Sequence, residues 1–165
     1  MSVREQVFLR TERPHAEVAR LAAELLGGQF QQGADHSQLL VDTGTLVPDG
    51  SGQFGGPVLT HESERPYRPG GEFQALDLYT VEIRLWQAHG PRGHRSPGRD
   101  IEAEAAAVIF DTLAKGIDNP MIHVSHTDKL VSASMPGKGV HDFPTGTTIY
   151  DWDQEKWDGY VVLDE

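Results

Sequence analysis

The spacing of apolar and polar positions changes period several times along the chain, and each change marks an element. "VREQVFLR", residues 3 to 10, alternates in the manner of a strand. Pro14 then opens a helix over 15 to 26. Val18, Leu21, Ala22, Leu25 and Leu26 recur at i, i+3, i+4, i+7 and i+8 as one apolar stripe, Glu17 stands near the positive end, and Gly27 with Gly28 supplies the stop. Such a stripe predicts packing against a sheet.

"QFQQG" and "SQLLVDTG" follow as two short strands, with "ADH" between them as a hairpin connection. The stretch from Thr43 to Gly71 is dense in glycine and proline and has room for one more short strand near "PVLT". "LDLYTVEIRLW", 76 to 86, carries the clearest strand pattern. Tyr79, Val81, Ile83 and Leu85 point one way while Glu82 and Arg84 point the other, which predicts a central place in the sheet.

A second helix is expected from an Asp100 N-cap to about Ala114, with Glu102 and Glu104 in its first turn and Ile101, Ala105, Val108, Ile109 and Leu113 as its buried face. Beyond Gly116 and Pro120, "MIHVSH" and "KLVSASM" predict a hairpin or one bent strand, and "PGKGVHDFPTGT" reads as a loop. "DWDQEKWDGYVVLDE" reads as a short acidic helical turn before a last strand, "YVVL". The order predicts an α+β fold: a single domain, 1–165, with a mainly antiparallel sheet, two principal helices packed on it, and long loops at about 43–75, 88–99 and 136–147. The chain contains no internal repeat.

Composition narrows the function. A chain of 165 residues is long enough for one buried core. No run approaches the roughly 20 apolar residues of a membrane span, and "MSVREQVFLRTERP" is charged where a signal peptide would carry its apolar segment, so a cytoplasmic protein without membrane contact is expected. The absence of cysteine removes disulfides, thiol nucleophiles and thiolate metal sites. A formal net charge of -11 disfavours nucleic acid, whose binding depends on basic groups displacing counterions.

Against that charge, "HGPRGHRSPGRD" at 89 to 100 concentrates Arg92, Arg95 and Arg99 beside His89 and His94. A glycine-rich turn before a helix can cradle an anion. This one has neither the P-loop lysine nor the dinucleotide glycine spacing, and Asp100 would compete for the same amides. As a local positive feature on a negative body, it suits electrostatic complementarity with a protein surface.

The histidines are scattered. His123 and His126, three apart on a strand, would face opposite sides, so no metal is expected from them. "SAS" at 132 to 134 and "HDFPTGTT" lack the surroundings of a nucleophile elbow, and no catalytic residue or cofactor is expected.

At the other end of the chain, Asp151, Asp153 and Glu155 alternate with Trp152 and Trp157. Such a segment is either a capped turn whose tryptophans enter the core, or an acidic and aromatic contact patch, since tryptophan anchors interfaces and carboxylates select a basic partner. The expected function is a non-catalytic, protein-binding inhibitor, in its most specific form an immunity protein that occludes the active site of a toxin enzyme. Its contact residues are then those of the 89–99 loop, Arg92, Arg95, Arg99, His89 and His94, or those of the acidic C-terminal segment, Asp151, Trp152, Asp153, Glu155 and Trp157, and the sequence leaves both open. The alternatives are an enzyme that holds an anionic substrate with loop arginines, and a structural subunit of a larger assembly.

Overall fold

In the computed structural model the first strand, β1 (Glu5–Leu9), lies at the middle of an eight-stranded sheet. The structure describes residues 5–32, 37–42, 55–62, 74–85, 101–126, 128–157 and 159–163. The elements in chain order are β1, α1 (His15–Leu26), β2 (Gln29–Gln32), β3 (Ser37–Asp42), β4 (Gly55–Glu62), β5 (Val81–Leu85) and α2 (Ile101–Gly116). They continue with β6 (Met121–Ser125), β7 (Lys129–Met135), β8 (Gly139–Asp142), a 3-10 turn (Asp151–Asp153) and α3 (Gln154–Trp157). The strand order is β2-β3-β4-β5-β1-β6-β7-β8, and every neighbouring pair is antiparallel. The architecture is therefore α+β, and the 81–85 strand is central as its pattern predicts.

The sheet is covered on both faces over its central strands. On one, Val7, Leu9, Val81, Ile83 and Met121 meet Val18 and Ala22 of α1 and Ile109, Phe110 and Leu113 of α2. On the other, Phe8, Ile122, Val124, Leu130 and Ala133 are covered by Tyr79, Phe143, Ile149, Trp157 and Val161. This double cover is why all five residues of "MIHVS" are buried, with no polar face to give the strand an alternating look. Both parts of the α1 boundary follow from local rules: Pro14 precedes the first turn, and Gly27 takes the left-handed φ of 68° that ends it. Leu25, in the predicted stripe, is 36% exposed at the rim, and Ala19 and Ala23 are buried in its stead.

Four further expectations are corrected. Strand pairing of "LDLYTVEIRLW" starts only at Val81, because Gln74–Tyr79 is a turn whose N–H groups bond back within it: Asp77 N to Gln74 O at 3.1 Å and Tyr79 N to Leu76 O at 3.0 Å. Tyr79 consequently belongs to the core opposite to that of Val81 and Ile83. The loop expected at 136–147 contains β8: Lys138 N bonds Met135 O at 2.9 Å around Pro136 and Gly137, and Gly137 has φ 81°, the type II turn that returns the chain along β7. "YVVL" forms no strand, since Val162 N–H donates to the Tyr79 hydroxyl at 3.2 Å instead of to a neighbouring chain. The helix expected to about Ala114 runs on to Gly116, and Ala106 and Phe110 join Ile109 and Leu113 on its buried face, whereas Val108 is half-buried. The strand expected near "PVLT" is β4, and it extends over eight residues.

Between β6 and β7 the register shifts after His123, so His123 pairs with Ser132 but Val124 pairs with Leu130. The extra residue, Val131, is a bulge, and it turns Leu130 to the face of Val124 while Ser132 stays with His123 under the helices.

Candidate functional site

The C-terminal turn is assembled around Thr148. Its backbone N–H and its hydroxyl both donate to Asp153 Oδ2, at 2.8 and 2.7 Å. Its carbonyl accepts the Trp157 indole N–H at 3.1 Å, and Lys156 Nζ lies 3.0 Å from the remaining oxygen of Asp153, Oδ1. The Thr148 hydroxyl, and after it Lys156, hold the Asp153 carboxyl below its ordinary pKa. Asp153 is buried and Trp157 is fully buried, so these two residues fasten the turn to the sheet's second face.

That anchoring leaves the residues between them outward. Trp152 is 66% exposed, Asp151 and Glu155 are exposed, and the Trp152 ring is tilted against Tyr150 with 4.6 Å between centroids. The five C-terminal residues picked out in the sequence therefore divide: Asp151, Trp152 and Glu155 form a surface patch, while Asp153 and Trp157 are its internal supports. The first reading, tryptophans entering the core, holds for Trp157 and not for Trp152, and the turn has no side-chain N-cap. Thr148 and Tyr150 were missed, although Tyr150 stands two residues before Trp152 in an aromatic and acidic run, which is a usable signal. Arg92, Arg95, Arg99, His89 and His94, with the Asp100 cap, lie outside the described residues.

A second polar group sits under the helices. His123 Nε2 and Glu5 Oε2 are 2.7 Å apart, the Ser125 hydroxyl donates to Glu5 Oε1 at 2.8 Å, and the His123 ring stacks on Phe110 at 5.8 Å. Among the described residues His123 Nδ1 has no hydrogen-bond partner. A carboxylate that orients a histidine is a usual part of a base catalyst. Here, however, both side chains are only 2% exposed and Ser132 donates to Asp142 Oδ1 at 2.7 Å, so the group is closed to a substrate. His126, at the β6–β7 turn with φ 52°, is exposed and separate from His123. Glu5 could have been noticed in the sequence, because it shares the inward parity of Val7 and Leu9.

A cavity of about 120 Å³ lies between the end of α2 and the β7–β8 turn, lined by Ile117, Asp118, Asn119, Ser134 and Met135 among others, with no histidine or arginine in its wall. Among the described residues there is no group of three side chains able to hold a metal ion, and no helix is long and apolar enough to cross a membrane. Comparison of the chain with protein-family models, with curated proteins and with solved structures gives no match.

Proposed function

We propose that this chain is a non-catalytic, protein-binding inhibitor whose contact surface is centred on Trp152. The observation that carries the reading is the display of a tryptophan, 66% exposed, on a turn fastened from within by Thr148, Asp153 and Trp157. Leaving so large an apolar side chain in water forgoes roughly 2 kcal/mol of burial. A partner that covers it recovers that free energy, and a turn already held in place loses little entropy on binding. The exposed Asp151 and Glu155, one residue before and three residues after Trp152, on a chain of net charge -11, favour a basic partner and speed its approach.

In its most specific form the partner is a toxin enzyme and the chain is its immunity protein, working in the cytoplasm on a protein target and not on nucleic acid or membrane. The 89–99 arginines would form a second contact of opposite charge. The test is capture of the tagged chain's partner from its native cells at low salt, followed by assay of the captured enzyme with and without added chain. Wild-type chain should lower that activity in a one-to-one complex, and Trp152→Ala, with unchanged circular dichroism, should lose both retention and inhibition. Inhibition that survives Trp152→Ala removes this patch from the contact surface, and an activity untouched by the wild-type chain removes the inhibitor reading.

A further inference from the structure

We infer that the Trp152 patch receives an arginine side chain of the partner, its guanidinium stacked on the indole and its N–H edges directed to Asp151 and Glu155. This inference rests on the protein-binding reading above and adds the chemistry of the group recognised.

The ring supplies the platform. An indole face carries the most negative quadrupole of the natural aromatic side chains, and a cation within about 6 Å of it is attracted. Tyr150 packs against Trp152 with the rings inclined by 31°, so one side of the indole is supported by protein while the ring as a whole stays two-thirds exposed.

The local charge supplies the sign. Within the turn and α3 the acids are Asp151, Asp153 and Glu155, and the base is Lys156. Lys156 is tied to Asp153 at 3.0 Å, and Asp153 also accepts twice from Thr148, so this pair is satisfied internally. Asp151 and Glu155, both exposed, stand one residue before and three residues after Trp152 in the same helical run, so a cation set on the indole has two carboxylates within one turn of the chain.

Geometry selects arginine over lysine. A guanidinium is planar, weakly hydrated and able to stack while its edge donates to carboxylates; an ammonium is a strongly hydrated point charge that gives up more water to reach the same place. The neutral analogue citrulline has the same shape without the charge, which makes it the informative control.

The experiment titrates three short peptides, identical except that they carry arginine, lysine or citrulline at the same positions, into the full isotope-labelled chain. The indole N–H resonance of Trp152, identified by its loss in Trp152→Phe, is followed by NMR. The arginine peptide should move this resonance, with about fivefold weaker binding for the citrulline peptide and weaker binding as salt is added. Asp151→Asn with Glu155→Gln should weaken the arginine peptide severalfold without altering the spectrum elsewhere.

Equal binding of all three peptides, or no movement of the Trp152 resonance, overturns the arginine assignment. If the resonance stays still while the captured partner still depends on Trp152, the inhibitor reading stands and only the arginine inference falls. If the arginine peptide binds at Trp152 but no protein partner depends on that residue, arginine recognition stands and the inhibitor reading falls.

Discussion

His123 Nε2 lies 2.7 Å from Glu5 Oε2, across two neighbouring strands and 118 residues of sequence, with both side chains 2% exposed. A pair buried this completely stabilises only as a pair, because either group alone would be left in a low-dielectric interior without its partner. Glu5→Met should cost about 3 kcal/mol, since it strands both His123 Nε2 and the Ser125 hydroxyl, and His123→Phe should cost about as much. The double variant should lose clearly less than the sum of the two. Urea denaturation of the four proteins measures this, and strictly additive losses would show that the contact contributes nothing specific.

The two tryptophans of the C-terminal turn should respond in opposite ways. Trp157→Phe loses the bond to the Thr148 carbonyl and part of a fully buried ring, at about 1–2 kcal/mol, while Trp157→Ala should cost about 3–5 kcal/mol. Trp152→Ala should change stability by no more than about 0.5 kcal/mol, as expected of an exposed side chain. Thermal denaturation of the three variants is the check. A large loss for Trp152→Ala would mean that the ring stabilises the fold and is not a free contact residue.

Acid should loosen the turn through Asp153. Its folded-state pKa is lowered, chiefly by the Thr148 hydroxyl, so the stability it contributes is fully present above the unfolded-state value and is lost as pH falls through the folded-state one. The Tm difference between wild type and Asp153→Asn should therefore be largest near neutral pH and shrink on acidification. A difference independent of pH would assign the effect of Asp153 to shape and not to charge.

Alkali should act through Tyr79. Burial pushes its phenol up to about 12, against the smaller opposing effects of the Val162 N–H bond and Arg10. The neutral phenol is favoured in the fold, so its contribution is intact below the unfolded-state value near 10 and declines as pH rises toward about 12. Tyr79 should ionise late in an ultraviolet titration, and Tyr79→Phe should remove that late contribution. A titration with no late phase would contradict the burial of this ring.

At the β7–β8 turn, Gly137 has φ 81° and open space where a Cβ would stand. Gly137→Ala should thus cost about 1 kcal/mol from backbone strain alone, and Gly137→Asn less, because asparagine tolerates the left-handed region better. Denaturant midpoints distinguish the two, and equal losses would point to a cause other than backbone conformation.

Local spacing in the sequence is enough to determine α1 with its proline start and glycine end, the alternation of β1 and β5, and the α+β order of the elements. These are short-range properties: side-chain direction along a helix or strand follows from its period, and caps and turns depend on a few adjacent residues. The acidic and aromatic run at 151–157 was equally legible as a feature, and so was the outward or inward ambivalence of its two tryptophans.

Only the tertiary structure decided which tryptophan faces out, because that depends on Thr148 accepting the Trp157 indole and on the cover that the 143–163 segment gives the sheet. The same holds for Tyr79, whose face is set by a turn ending just before pairing begins, for β8, which exists because β7 is there to receive it, and for Glu5, whose burial needs a histidine 118 residues away. Periodicity tells which residues share a face. What covers that face is supplied by distant parts of the chain, and no local pattern carries that information.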